Sequence, residues 1–297
     1  MKNEINTITV IGAGMMGVQI IARAAVFGSN ANLYHYKPEA MEKARHSVIS
    51  KIERYRSAGM VEGTSDESIS RVTLYENLQP ALEKSDLVIE CVPERLELKK
   101  QIFSEIDKIA PPDCIISTNS SSIPVTRIED SVGRKDKVAN IHFYAPIPKN
   151  NFVDLMKGTS TDNDTFEKIT AWIKKIKCVP LIVKKECMGF VFNRVWRSVK
   201  KDALASWAGG HADFKDIDRG WMIFTGMQIG PFGMMDSVGL DVVYDVEMEY
   251  FYESGDEKDR PPLLLKKMIE NKQLGRKTGK GFYDWNDPEF SRPDFLK

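Results

Sequence analysis

The sequence predicts an α/β protein: a doubly wound, mostly parallel sheet with a helical-hairpin insertion, followed by an all-α C-terminal domain. Three observations carry that expectation. Through about residue 185, short runs rich in Val, Ile and aromatic residues alternate with longer helical patterns. Beyond Lys185 the strand signals fade and helical periodicity takes over. The length, 297 residues, exceeds what one ordinary hydrophobic core holds, so two domains are expected, 1–185 and 186–297.

The expected strands, in order, are Thr7–Ile11, Ala31–Tyr36, Asp86–Cys91, Cys114–Ser117, Val138–Tyr144, Phe152–Met156 and Val179–Val183. Several are apolar nearly throughout, as strands buried on both faces are. Pro38, tolerated in a first helical turn, opens a long helix with Gly59 as its stop. With a second helical stretch at Ser65–Arg71 it reads as a helical hairpin inserted into the winding of the sheet. In the second domain, residues 190–210, 213–226 and 262–275 carry helical periodicity. Its Trp196, Trp207, Trp221, Met222, Met227, Met234 and Met235 read as core packing, with part of that surface available to bury against a second copy.

Composition removes several function classes. Lys and Arg total 42, as do Asp and Glu, so the formal net charge is zero and no broad field draws in a nucleic acid. The cysteines at 91, 114, 178 and 187 form no C-x-x-C pair and lack secreted-style density, which argues against a disulfide framework or a metal site. Polar and acidic residues precede the first apolar run, and Gly12 and Gly14 interrupt it, so neither a signal peptide nor a membrane span is expected. A cytoplasmic protein without a resident metal follows as the expectation.

The first strand runs directly into Gly12-Ala13-Gly14-Met15-Met16-Gly17 and then a helix. A G-x-G-x-x-G that closes a strand and opens a helix at the start of an α/β domain is the pyrophosphate cradle of a dinucleotide. Gly12 permits the tight turn, Gly14 the close approach of backbone to phosphate, and Gly17 the packing of helix on strand. Met15 and Met16 lie at the helix N-terminus, where unpaired N–H groups favour an anion. The second strand ordinarily ends in a carboxylate for the adenosine ribose of NAD; here His35 stands there, followed by Lys37. An imidazole can bond a ribose hydroxyl, and a site without the carboxylate does not repel a 2′-phosphate, so NAD is expected with NADP open.

Three further segments fall at strand ends, where ligands bind in open α/β sheets: Glu94 in VPERLELKK, the hydroxyl-rich Ser117–Pro124, and His142 in IHFYAPIP. Of the four histidines, His142 is the one that follows an apolar strand and precedes a proline-bounded loop. Asp154, in the next short strand, can fold back as its hairpin partner, hold one ring nitrogen and favour the imidazolium. Ser121 sits in a loop that can reach the same substrate oxygen.

These segments together resemble the L-3-hydroxyacyl-CoA dehydrogenase family over nearly the whole chain: GAGMMG, VPERLELK, TNSSSIP, HFYAPIP with FVDLM, GFVFNR, IGPFGMMDSVGLD and GRKTGKGFYDW, in the family's order. The resemblance implies a Rossmann-type sheet with a helical insertion, a helical dimerisation domain, and interconversion of a 3-hydroxyacyl-CoA and a 3-ketoacyl-CoA by hydride transfer, a reaction of fatty-acid β-oxidation. It gives His142 the role of catalytic base and puts Asp154 where the family has a glutamate, one methylene longer. It makes Ser121 the serine on the substrate oxygen and Asn193 the asparagine of the substrate site. Glu94 and Lys99 match the family's E-x-x-x-x-K near the nicotinamide.

Two departures stand out. The family's H-F-x-N-P reads His142-Phe143-Tyr144-Ala145-Pro146, so an active-site asparagine has become alanine; losing one oriented hydrogen bond to developing charge costs about 2–4 kcal/mol where that bond acts in the transition state. The other is His35. In addition, the serine and lysine that contact CoA in the family are not reproduced, although Arg45, Lys51, Arg54 and Arg56 put cations on the inserted helix. Those cations read equally well as a solvated face.

The expected function is therefore a nicotinamide-dependent 3-hydroxyacyl-CoA dehydrogenase, acting as a homodimer. Within the same fold, a dehydrogenase of a small non-CoA 3-hydroxy acid of gulonate or carnitine type is the alternative, favoured by Ala145 and the missing CoA contacts. A dinucleotide-binding protein without turnover is the reading from another class, disfavoured by the joint presence of serine, histidine, carboxylate and asparagine.

Overall fold

In a parallel sheet covered on both faces, every strand residue faces a core, and this chain supplies such strands. The computed structural model, which describes residues 4–187 and 189–297, runs β1 (Thr7–Ile11), α1 (Met15–Val26), β2 (Asn30–Tyr34), α2 (Pro38–Ser57), α3 (Ser65–Ile69), β3 (Val72–Tyr75) and α4 (Leu78–Leu82). It continues with β4 (Leu87–Glu90), α5 (Leu96–Ile109), β5 (Ile115–Thr118), β6 (Val138–Phe143), β7 (Phe152–Lys157), α6 (Asn163–Lys175) and β8 (Val179–Val183). The strands form one sheet in the order β3-β2-β1-β4-β5-β6-β7-β8. Leu87 and Ile89 enter the core on one face while Val88 between them enters the core on the other.

The sheet is parallel from β3 to β6; β7 then runs antiparallel to β6, and β8 pairs parallel with β7. The chain order reverses between β1 and β4, which opens a crevice at their carboxyl ends. Strand β3 was not anticipated. Its Val-Thr-Leu-Tyr is a short edge strand pairing with β2, and the expected second helix is cut to the five residues of α3, capped at its start by the Thr64 hydroxyl accepting from the Glu67 N–H. Helix α2 buries Met41, Ala44, Val48, Ile52 and Tyr55 on a single stripe. Arg45, Arg54 and Arg56 lie on its exposed side, with Lys51 half-buried.

The chain divides into two compact units between Val191 and Phe192, later than the sequence suggested. The reason is Phe190, which packs on Met156 of β7 and Val183 of β8 in a small cluster of its own and ties the segment after β8 to the first unit's sheet. The second unit holds α7 (Phe192–Ala208), α8 (Phe214–Thr225), α9 (Pro231–Val238), α10 (Leu240–Ser254) and α11 (Leu263–Glu270). Leu204, Met222, Phe232, Met235, Leu265 and Tyr283 form its core, with Trp207 packed against it. Two buried carboxylates hold its C-terminal segment: Asp218 accepts from the Phe232 and Gly233 N–H groups and the Tyr283 hydroxyl, and Asp236 from Phe282 N, Tyr283 N and Trp285 Nε1. Among the described residues, no helix is long and apolar enough to cross a membrane.

Candidate active site

The three glycines of the first loop do three different things. Gly12 has φ +114°, and a Cβ there would lie 2.6 Å from the Cys91 carbonyl oxygen, across the crevice from β1 to the end of β4. At Gly17 a Cβ would lie 1.9 Å from the Gly12 carbonyl, so α1 rests directly on the turn. At Gly14 a Cβ would meet nothing within 4 Å, which leaves the outer side of the loop open. Helix α1 starts there with no acidic residue in its first turn and no side-chain cap, and Met15 is exposed. An open backbone cradle at an uncapped, anion-favouring helix N-terminus fits a dinucleotide pyrophosphate.

His35 follows β2 at the same end of the sheet. Its Nδ1 accepts the Lys37 backbone N–H at 3.0 Å, and its ring stacks on Tyr36 with centroids 4.8 Å apart. Burial, and with it the charge of Lys37, hold the imidazole below its ordinary range. With Nδ1 accepting, the ring proton sits on Nε2, which is then a hydrogen-bond donor. The Lys37 ammonium lies over the Tyr36 ring, 5.4 Å from its centroid.

Beyond β4 and β5 lies a polar network that the sequence showed only in part. Glu90, fully buried, accepts from Lys99 Nζ at 2.9 and 3.0 Å, from the Thr118 hydroxyl at 2.7 Å and from the Val92 N–H at 2.6 Å. Lys99 also reaches Glu94 at 3.1 Å and is itself 1% exposed. Lys99, expected near the nicotinamide, has its ammonium enclosed by these two carboxylates, as a buried cation requires. Glu94 in turn accepts from the Ser120 and Ser122 hydroxyls and the Ser122 and Ile123 N–H groups. Burial pulls the Glu94 carboxyl upward, but the Lys99 charge and the two serine hydroxyls outweigh it and hold it below the usual range. The exposed Ser121 lies between the two serines that Glu94 clamps.

The serine loop is also stapled to β6. Asn140 Nδ2 donates to the Thr118 and Ser120 carbonyls at 3.0 and 3.2 Å, and Phe143 N–H donates to Asn119 Oδ1 at 2.9 Å. His142 lies between these two anchor residues and opposite Asp154 in the β6–β7 register. Both are buried. The pairing expected from sequence is met in register but not in bond length: His142 Nδ1 and Asp154 Oδ2 are 4.0 Å apart, beyond hydrogen-bond reach. The carboxylate is engaged by the Tyr144 hydroxyl at 2.5 Å. An aspartate spans less distance than the glutamate of the related pattern.

After β6 the chain turns through a cis Ala145–Pro146 bond, with Ala145 exposed where the related pattern has asparagine. The Ile147 N–H donates to Gln19 Oε1 at 3.0 Å, and Gln19 Nε2 donates to the Met15 carbonyl at 3.1 Å, so the helix that opens at the glycine loop also holds the loop behind His142. Neither Glu90, Tyr144 nor Gln19 was singled out by sequence. The polar Glu90 at the end of an apolar strand was the one local signal available. Asn193 is half-buried in the first turn of α7, in the second unit.

A glycine cradle, a topological crevice and a buried histidine–carboxylate pair at one end of a parallel sheet define a nicotinamide-dependent oxidoreductase of hydroxyl and carbonyl groups. Comparison with known proteins specifies the family. Residues 7–187 match the family description "3-hydroxyacyl-CoA dehydrogenase, NAD binding domain" and residues 189–285 match "3-hydroxyacyl-CoA dehydrogenase, C-terminal domain". A 3-hydroxybutyryl-CoA dehydrogenase of Clostridioides difficile is 34% identical over 280 residues, covering 94% of this chain and 99% of that protein. The crystal structure of (S)-3-hydroxybutyryl-CoA dehydrogenase from Ralstonia eutropha superposes with a TM-score of 0.86 at 31% identity, covering 95% of this chain and 99% of that one. A diketoreductase that acts on dicarbonyl compounds superposes equally well, at 0.86 and 30% identity, over 95% of this chain and 99% of that one. The chain belongs to the 3-hydroxyacyl-CoA dehydrogenase family. Its activity is that family's nicotinamide-dependent interconversion of 3-hydroxyacyl-CoA and 3-ketoacyl-CoA.

Proposed function

We propose that His142 moves the proton in this reaction and that NAD is the cofactor. The observation that carries the reading is the register of His142 against Asp154 at the carboxyl end of the sheet that also bears the glycine loop. When bound, the nicotinamide supplies the hydride acceptor in oxidation and the hydride donor in reduction. His142 takes the proton of the substrate 3-hydroxyl in oxidation and returns it in reduction. The Ser121 hydroxyl, projecting from its clamped loop, holds the same oxygen. Asp154, 4.0 Å from His142 Nδ1, lends its charge to the imidazolium that forms, and Asn193 keeps the role the family resemblance gives it, toward the acyl portion.

The choice of NAD rests on His35. A neutral ring offers one donor to a ribose hydroxyl and no cation to a 2′-phosphate, and Lys37 lies over Tyr36. Oxidation of NADH and NADPH measured side by side with acetoacetyl-CoA tests the cofactor: NADH is expected to be the faster, and a preference for NADPH overturns that choice, while near-parental turnover in His142→Gln would overturn the proton-transfer role. Ala145 and the likeness to the diketoreductase favour a second reading, a small non-CoA 3-hydroxy acid or dicarbonyl as substrate. Turnover with free hydroxy acids and none with acetoacetyl-CoA would select it.

The second unit supports a homodimer through its exposed Val195, Ile223, Phe224, Val242, Val246 and Leu263. Light scattering after gel filtration, giving twice the chain mass, checks this. All four cysteines are free thiols, which suits the reducing cytoplasm, and cell fractionation checks that location.

A further inference from the structure

One polar group beside His142 has no part in the proton transfer just described, the Tyr144 hydroxyl. It donates to Asp154 Oδ2 at 2.5 Å, and its ring meets the His142 ring edge to face, with centroids 4.3 Å apart and planes at 67°. The same Oδ2 stands 4.0 Å from His142 Nδ1. Among the described residues, His142 Nδ1 and Asp154 Oδ1 are buried without a hydrogen-bond partner. Two buried polar atoms left unpaired on residues that share a register position are costly, and the oxygen nearer to Nδ1 is the one that the Tyr144 hydroxyl holds.

We propose that Tyr144 is a positioning residue for the reaction: its hydroxyl engages the Asp154 carboxylate and holds it off the His142 ring. The proposal rests on His142 being the proton-transfer group. A carboxylate that accepts a short hydrogen bond from a phenol has less charge to offer a second donor and stands further from it, so it supports the imidazolium less than a directly bonded one does. Oxidation of a hydroxyl needs His142 neutral, and weaker support keeps it neutral to lower pH. Reduction needs a proton donor, and a less stabilised imidazolium is the stronger acid. Short Asp154 and Tyr144 thus act as a pair, the second setting how far the first reaches.

Among the described residues, few groups face the His142 ring. From β7 comes Asp154, and from the segment after β6 comes Tyr144. From the segment after β8 comes Phe190, 5.4 Å away between centroids, with the Cys187 thiol on the Phe190 carbonyl at 3.4 Å. From β5, on the other side of β6, the registered residue nearest in sequence is the uncharged Thr118, opposite Asn140.

Tyr144→Phe removes one oxygen and keeps the ring, and the test is the titration of His142 followed by NMR of labelled imidazoles, the His142 signal being identified by its absence in His142→Gln. Its midpoint is expected to rise by roughly one pH unit in Tyr144→Phe, as the freed carboxylate closes on Nδ1. The acidic limb of the pH-rate profile for oxidation is expected to move the same way. In an Asp154→Asn background the Tyr144→Phe change is expected to move nothing further. Coincident midpoints in parent and Tyr144→Phe, a fall, or a rise that survives in the Asp154→Asn background overturns the proposal. The titration reads the role of Tyr144 without turnover; failure of the proton-transfer assignment shows separately, as near-parental turnover in His142→Gln.

Discussion

The two ends of the first unit's site are built on different principles. At the cofactor end, each requirement is met within a few residues: a turn with φ +114° at Gly12, an open side at Gly14 and a helix seated on the turn at Gly17. At the proton-transfer end, little is local beyond the Tyr144 ring two residues from His142. His142 depends on Asp154 from the next strand, on Asn140 and Asn119 for the loop beside it, and on Gln19 for the loop behind it. Among the described residues, the cofactor end also leaves no buried polar side chain unpaired in its cradle, whereas the proton-transfer end leaves His142 Nδ1 and Asp154 Oδ1 so. Binding tolerates a finished site, while proton transfer needs a group whose bonds can change between the two states of the reaction.

The sharpest way to separate the two ends is His142→Gln. Turnover should fall about 10³-fold while NADH affinity, read by fluorescence titration, stays at the parental value. A matching loss of NADH affinity would show that the ends are not independent. Lys99→Met strikes the network that joins them. It leaves Glu90, with 0% of its side chain exposed, without its counter-charge, and removal of one partner from a buried pair costs about 3–5 kcal/mol. A large drop in melting temperature is the expected result, with looser binding of substrate as the Glu94 clamp on the serine loop slackens.

Gly17→Ala addresses the cofactor end alone. The added methyl would fall 1.9 Å from a backbone oxygen that cannot swing away, and overpacking of that kind costs about 1–3 kcal/mol. NADH affinity should drop by about tenfold or more while the His142 titration is unmoved; the reverse pattern would break the comparison.

The smallest effect belongs to the second unit, which serves as the control. Burial pushes the Asp218 carboxyl up to about 6, and burial also raises that of Asp236. A folded-state value above the unfolded one means that the folded protein binds the proton more tightly, so this contribution is present at low pH and is lost as pH rises through about 6. Between pH 7 and pH 5 it should add on the order of 1–2 kcal/mol. Thermal melts across that range check it. Asp218→Asn should flatten most of the slope, with Asp236 keeping the remainder, and should leave the profile of His142 in place.

Much of the architecture was legible in the chain itself. The seven expected strands are all present within two residues of their ends, the glycine loop falls between β1 and α1, and the three helical stretches expected after residue 185 all form. Of the residues chosen for the site, His142 lies near the end of β6, Asp154 opposite it within β7 and Ser121 in the loop after β5. What escaped was of two kinds. Strand β3 is too short to stand out beside a helical stretch and exists because β2 offers it an edge. The roles of Glu90, Tyr144 and Gln19 escaped because each acts on a partner that the sequence alone does not bring near: Lys99 was paired with Glu94 by the family pattern, but nothing in the sequence showed that Glu90 shares it.

The sequence by itself therefore determined the alternation of strand and helix, the phosphate cradle and the family, because periodicity and a contiguous glycine motif are properties of neighbouring residues. The tertiary structure decided which oxygen answers which donor. Asp154 meets Tyr144 at 2.5 Å and His142 at only 4.0 Å. That choice turns on strand register and on the length of one side chain, and a difference of an ångström or so decides whether a hydrogen bond exists.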